Sequence, residues 1–236
     1  MTDCLVIAVD GPAGSGKSSA ARGVAGALGL RYLDTGATYR ALTWWLLAQR
    51  LDLANRQVVA EHARQPVIEI ATDPASPRVT VNGTDVSAAI RTREVSNSVS
   101  AVASVPEVRA YLVVMQQEII ARECAGGGGI VAEGRDIGTV VAPQALVKVF
   151  LTASEEVRAS RRSADLSADP AATAALTRDE HKVRDRADAP QTVMAADAIE
   201  IDTTRLSLDD VISQIVGLAR QRVQVPPPRT DTVWTR

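Results

Sequence analysis

Several ingredients are scarce in this 236-residue chain, and each scarcity removes a class of protein. It holds two cysteines, Cys4 and Cys124, without metal-ligand spacing, so they are expected to be reduced, buried thiols. Its two histidines, His62 and His181, have no Ser, Cys or carboxylate partner that would suggest nucleophilic catalysis, and they read as structural. No apolar run approaches the length of about 18 residues that marks a membrane span, and no charged segment leads into an apolar one at the N-terminus. A cytoplasmic monomer with no membrane partner is therefore expected. The formal net charge of −2, with no basic stripe, removes the whole-molecule case for nucleic acid. The N-K-x-D element of guanine-reading switches is missing, and so is a D-x-x-G after a strand. There is no internal repeat. Hydrophobic content of 46% and charge of 23% are ordinary for a globular protein.

What is present begins at Gly11-Pro12-Ala13-Gly14-Ser15-Gly16-Lys17-Ser18, which reads G-x-x-x-x-G-K-S. The apolar run Cys4–Val9 precedes it, and a small-residue segment suited to a helix opening at Lys17 follows. Strand, glycine loop and helix together predict a P-loop. Its backbone N–H groups form an anion nest, and the helix N-terminus adds positive partial charge. Lys17 would reach the β- and γ-phosphates of a nucleoside triphosphate, with Ser18 holding Mg²⁺ and Ser19 closing the motif.

Arg31–Asp34 reads as a second strand, followed by a helix with Tyr39, Leu42, Leu46 and Leu47 on its apolar face. Trp44 and Trp45 anchor that packing. Residues 54–65 read as a helix ending before Pro66. Segments 67–71 and 78–82 alternate with period two, and Asn82-Gly83 supplies a turn, so an antiparallel patch is inserted here. Ser104 to Glu107 reads as a capping box that starts a helix running to about Arg122. Strands are predicted at 130–132, 146–151 and 198–202, with a last helix opening at Ser207. Strands alternating with helices predict an α/β fold: a five-stranded parallel sheet of P-loop NTPase type with helices on both faces. The tail 225–236, with three consecutive prolines, reads as disordered.

Arginines gather just past the strand ends, where such a sheet places its ligands. They are Arg40, Arg109, Arg135, then Arg158, Arg161 and Arg162, then Arg178, Arg184 and Arg186. Phosphoryl transfer asks a protein mainly for positioning and charge neutralisation, and arginine suits both.

Beyond the P-loop, four more stretches in order resemble the bacterial cytidylate kinase family. They are Leu33–Arg40, Asp85–Ser87 with Ile90-Arg91, Val105–Arg109, and Glu133–Val141. The likeness covers nearly the whole chain to about Arg220. It implies an acceptor-binding subdomain at about 36–105, including the antiparallel insert around 67–100, and an Arg-rich lid at about 154–187, within one domain spanning 1–224. It implies transfer of the ATP γ-phosphate to CMP or dCMP with Mg²⁺. Lys17, Arg135, Arg178 and Arg186 would be catalytic, and Arg158 and Arg162 would close over ATP with residues Gly11–Ser19. Arg40 and Arg135 would hold the acceptor phosphate, Thr35, Arg109 and Asp136 would read cytosine, and Ser100 would sit near the sugar. Arg184, Asp185 and Arg186 would complete the acceptor site. The family pattern R-D-x-x-D-x-x-R-x-x-x-P departs here. Arg186 keeps its spacing to Pro190, yet Val183 stands where an aspartate is expected. Either Asp185 serves after an insertion, or a sugar contact is missing.

Overall fold

The computed structural model describes residues 4–165 and 188–224. Five parallel strands form the central sheet: β1 (Val6–Asp10), β2 (Arg31–Asp34), β6 (Ile130–Glu133), β7 (Val147–Thr152) and β8 (Ile199–Asp202). Their order across the sheet is β2-β6-β1-β7-β8. Both faces are covered because both are apolar. Ile7 and Val9 of β1 pack on one side, with Val24 of α1 (Lys17–Leu28) and Ile215 of α7 (Leu208–Gln224). Ala8 points the other way, towards Ile119 and Ile120 of α5 (Pro106–Ala125).

Three shorter strands, β3 (Ile68–Ile70), β4 (Val79–Val81) and β5 (Thr84–Asp85), pair antiparallel as a meander. Asn82 and Gly83, both with positive φ (51° and 78°), make the turn between the last two, as such a dipeptide should. This small sheet shares a core with α2 (Thr35–Ala48), in which Leu42, Trp45 and Leu46 meet Val79, Val81 and Ile90. The tryptophan pair does anchor packing there: Trp45 is buried and Trp44 packs against the same cluster.

Four local expectations are corrected. The helix expected over 54–65 is shorter, α3 (Arg56–His62), because the Asn55 side chain caps it by accepting from Gln57 and Val58 N–H. Residues Arg93–Ala103 form a helix, α4, in the stretch read as part of the antiparallel insert, with Val95, Val99 and Val102 as its buried stripe. The capping box is not formed. Ser104 is the C-cap of α4 and donates its hydroxyl back to the Ala101 carbonyl, so Pro106 and Glu107 open α5 without a side-chain cap.

The fourth correction concerns the cysteines, which are joined in a disulfide rather than reduced. The cause lies in the sheet. Ile130 N–H donates to the Leu5 carbonyl, so the chain leaving α5 must enter β6 beside the residues that precede β1. That brings Cys124 to Cys4 across a sequence separation of 120, their Cα atoms 5.3 Å apart. Closing so long a loop restricts the unfolded chain strongly. Reduction, or Cys124→Ser, is expected to lower the unfolding free energy by about 2–5 kcal/mol in urea titrations. An unchanged midpoint with and without dithiothreitol would show that the bridge contributes nothing.

Candidate active site

At the carboxyl end of β1 the chain must turn at once, because β7 crowds it. Gly11 has φ 141°, and a Cβ there would collide with the Leu151 carbonyl. The loop then curls through residues 12–16 into α1, whose N-cap is Gly16. Lys17 is buried, and its Nζ donates to the Pro12 carbonyl at 2.7 Å, which folds the lysine back over its own loop. Ser15 Oγ is buried without a hydrogen-bond partner among the described residues. A buried hydroxyl of that kind inside an anion nest fits a phosphate oxygen.

The loop is braced from behind. Arg158 of α6 (Glu155–Asp165) donates to the Ala13 carbonyl at 3.1 Å. Arg161 grips Thr203, at 2.9 Å to its hydroxyl and 2.8 Å to its carbonyl, and Thr203 in turn donates to the Ser15 carbonyl.

Beside the loop, β2 and β6 end in carboxylates. Asp34 caps α2 by accepting the Ala37 N–H, and Arg91 approaches its other oxygen at 3.7 Å. Glu133 is buried, which raises its pKa, as does the neighbouring charge of Asp34. The Tyr32 and Ser18 hydroxyls bond to this carboxylate. Its carbonyl accepts from Thr35 Oγ1 at 2.7 Å. Gly134 follows with no room for a side chain: a Cβ would strike the Thr35 hydroxyl and lie 2.8 Å from Ile137.

The arginines come next. Arg40 donates to Ser96 Oγ at 3.2 Å, and burial lowers its pKa, though a guanidinium keeps its charge. Arg109 forms an ion pair with the buried carboxylate of Asp136. Arg135 meets Asp188 at 3.3 Å, while its Nε is buried with no partner among the described residues. Ser100 donates to the other oxygen of Asp188 at 3.0 Å. One cavity of about 610 Å³ runs from the P-loop past these groups.

The model of the cytidylate kinase family matches residues 7–221. The chain belongs to the cytidylate kinase family. A cytidylate kinase from Streptomyces griseus is 49% identical over 218 residues, covering 91% of this chain and 92% of that relative. Another from Streptomyces coelicolor is 49% identical over 222 residues, with 92% and 94% covered. A bifunctional pantoate ligase/cytidylate kinase of Synechococcus is 44% identical over 240 residues, which is 98% of this chain and 46% of that protein.

The family motifs converge as their order suggested. Thr35, Arg40, Ser100, Arg109, Arg135 and Asp136 line the same cavity as Gly14, Gly16, Lys17, Ser18 and Ser19. Gly11 and Pro12 shape the loop from beneath, while Ala13 joins the lining. Arg158, expected to close over ATP, donates here to the Ala13 carbonyl of the loop. The backbone of Arg162 belongs to α6, and its side chain lies outside the described residues. Arg178, Arg184, Asp185, Arg186 and the tail 225–236 also lie outside them. Sequence reasoning missed Asp34, Arg91, Glu133 and Asp188 as site residues, and Arg161 and Thr203 as braces. Asp34 and Glu133 carried a signal, since each ends a strand of the parallel sheet, and so did Asp188, since residues 184–188 read R-D-x-x-D, the first half of the family pattern; Thr203 carried none.

Gly134→Ala is expected to force apart the Thr35–Glu133 contact and to cost about 1–3 kcal/mol of stability, measured by denaturant unfolding. Wild-type stability in that variant would mean the turn has slack that the close contacts deny.

Proposed function

We propose that the chain transfers the γ-phosphate of ATP to CMP or dCMP, releasing ADP and CDP or dCDP. One observation carries the reading: in a chain of this family, the Arg109–Asp136 pair stands in the same cavity as the P-loop. Donor and acceptor would then lie end to end.

In this reading an acceptor phosphate oxygen attacks the γ-phosphorus of ATP, and the bond to the β–γ bridging oxygen breaks with its electrons leaving on ADP. Lys17 and the loop N–H groups hold the donor phosphates, while Arg40 and Arg135 hold the acceptor phosphate. The Nε of Arg135, buried with no partner among the described residues, is a donor already desolvated for that purpose. Arg178 and Arg186 complete the cationic set, and Arg158 and Arg162 belong to a lid whose closure excludes competing water.

Mg²⁺ fits the oxygen donors here. Among the described residues no cluster of three or more His, Cys, Asp or Glu could hold a metal unaided. Magnesium characteristically takes one or two carboxylates and completes its shell with water and phosphate oxygens. Ser18 and the carboxylates Glu133 and Asp34 beside it would hold the ion, which when bound neutralises charge on the donor phosphates.

Base selection follows from Asp136. Its carboxylate accepts from the exocyclic amine of cytosine, whereas uracil presents a carbonyl, and the unpaired acceptors cost about 1–3 kcal/mol. Thr35 and Arg109 flank that contact. At the sugar, Ser100 and Asp188 offer a hydroxyl and a carboxylate, so Asp188 is a third answer to the question raised by Val183. This reading assigns residues 36–105 to acceptor binding. Among the described residues no single helix is long and apolar enough to cross a membrane.

A coupled ADP-release assay with CMP, dCMP, UMP and AMP tests the proposal: CMP or dCMP should be preferred, and ATP turnover without a cytidine diphosphate would end it. Lys17→Ala is expected to lower kcat about 100- to 1,000-fold, and Arg135→Ala to raise the CMP KM while lowering kcat. Asp136→Ala should collapse the CMP:UMP ratio. Asp188→Ala is expected to change the CMP:dCMP ratio by about tenfold, and an unmoved ratio would take the sugar contact away from Asp188.

A further inference from the structure

The last residue of β1, Asp10, is 4% exposed. Burial pushes its pKa up, against the pull of its hydrogen bonds and of Lys17. A carboxylate so placed is costly unless its oxygens are satisfied, and an apolar side chain of similar volume is often no worse for stability. Both oxygens are satisfied from one place. Oδ1 accepts the Ile137 N–H at 2.8 Å and Oδ2 accepts the Gly138 N–H at 2.7 Å.

Those amides open the π-helical turn Ile137–Val141, directly after Arg135 and Asp136. Within the turn, Val140 and Val141 N–H both reach the Asp136 carbonyl, and Ala142 N–H reaches that of Ile137 at 2.7 Å. The leading N–H groups of any helical turn have no partner inside it, and Asp10 takes them. π-turns are rare and often mark functional sites. Upstream, Gly134 N–H donates to the Val9 carbonyl at 3.0 Å. Segment 134–138 is thus pinned at both ends to the last two residues of β1. Between the pins stand Arg135 and Asp136, and the residue after Asp10 starts the phosphate loop.

We infer that Asp10 is a positioning residue for acceptor selection: its bonds to Ile137 and Gly138 hold Arg135 and Asp136 at a set offset from the phosphate loop. The inference rests on the acceptor roles proposed above for Arg135 and Asp136. It extends them to a residue that touches neither nucleotide.

Asp10→Asn keeps the side chain's size and one acceptor but turns an NH2 towards a backbone N–H. The kcat/KM ratio of CMP over UMP is expected to fall about tenfold or more, with the CMP KM raised. The ATP KM should stay within about threefold, because the donor loop keeps its own bonds. Ile215→Ala, a core change on α7, lowers Tm as well and should leave the CMP:UMP ratio at the wild-type value. A ratio within about twofold of wild type in Asp10→Asn overturns the inference. Should that variant not fold, Asp10→Ser carries the same comparison with the same two outcomes. Hydrogen exchange on the unmodified protein is an independent arm: the Ile137 and Gly138 amides should be protected, and fast exchange at both overturns the inference. Wild-type turnover separates the two levels. An enzyme active on CMP whose ratio Asp10→Asn leaves unmoved refutes only the inference, whereas a wild type inactive on CMP removes the parent assignment and the inference with it.

Discussion

Strands β1 and β6 run parallel and end in register, Val9 opposite Glu133, so two chain reversals must be made side by side. Neither has much room. The β1 reversal is pressed by the Leu151 carbonyl of β7 and takes a backbone conformation suited to glycine. The β6 reversal is pressed by Thr35 at the start of α2 and again admits only glycine. Crowding by a neighbouring strand on one side and by the start of α2 on the other is thus what exposes a run of loop N–H groups beside a pair of arginine and aspartate side chains. In parallel sheets this edge is where ligands bind.

The charges around that edge are held before any ligand arrives. Arg109 rests on Asp136, Arg135 on Asp188, Arg91 near Asp34, and Arg40 on the Ser96 hydroxyl. Each cation is oriented by a partner that a phosphate or a base can later share or displace. Preorganised groups in a partly desolvated cleft stabilise developing charge without having to reorganise during the reaction. Burial acts on both signs here, lowering the pKa of Arg40 and raising those of Glu133 and Asp10.

Much of the fold was legible because local and global signals agree. The five core strands and the helices starting at Lys17 and Leu208 have the expected periodicity and stops. Ser207 caps the start of the last of these by bonding reciprocally with Asp210. Legibility failed where a residue had two possible partners. Ser104 and Glu107 have capping-box spacing, but the preceding helix ends at Ser104 and claims its hydroxyl. Helix α4 was overlooked because its serines and asparagine are weak helix formers, although Val95, Val99 and Val102 stand at i, i+4 and i+7, the spacing of one helix face.

By itself the sequence determined the P-loop, the parallel α/β class and three arginines, Arg40, Arg109 and Arg135, that line the same cavity, because each rests on residues close together in the chain or on motifs in a set order. Tertiary structure decided the rest. It joined Cys4 to Cys124, brought Asp188 between Ser100 and Arg135, and gave Asp10 the amides of Ile137 and Gly138. Each of these contacts spans 50 residues or more of chain. Local propensity carries no information over that distance; only the register of packed strands and helices sets which groups meet.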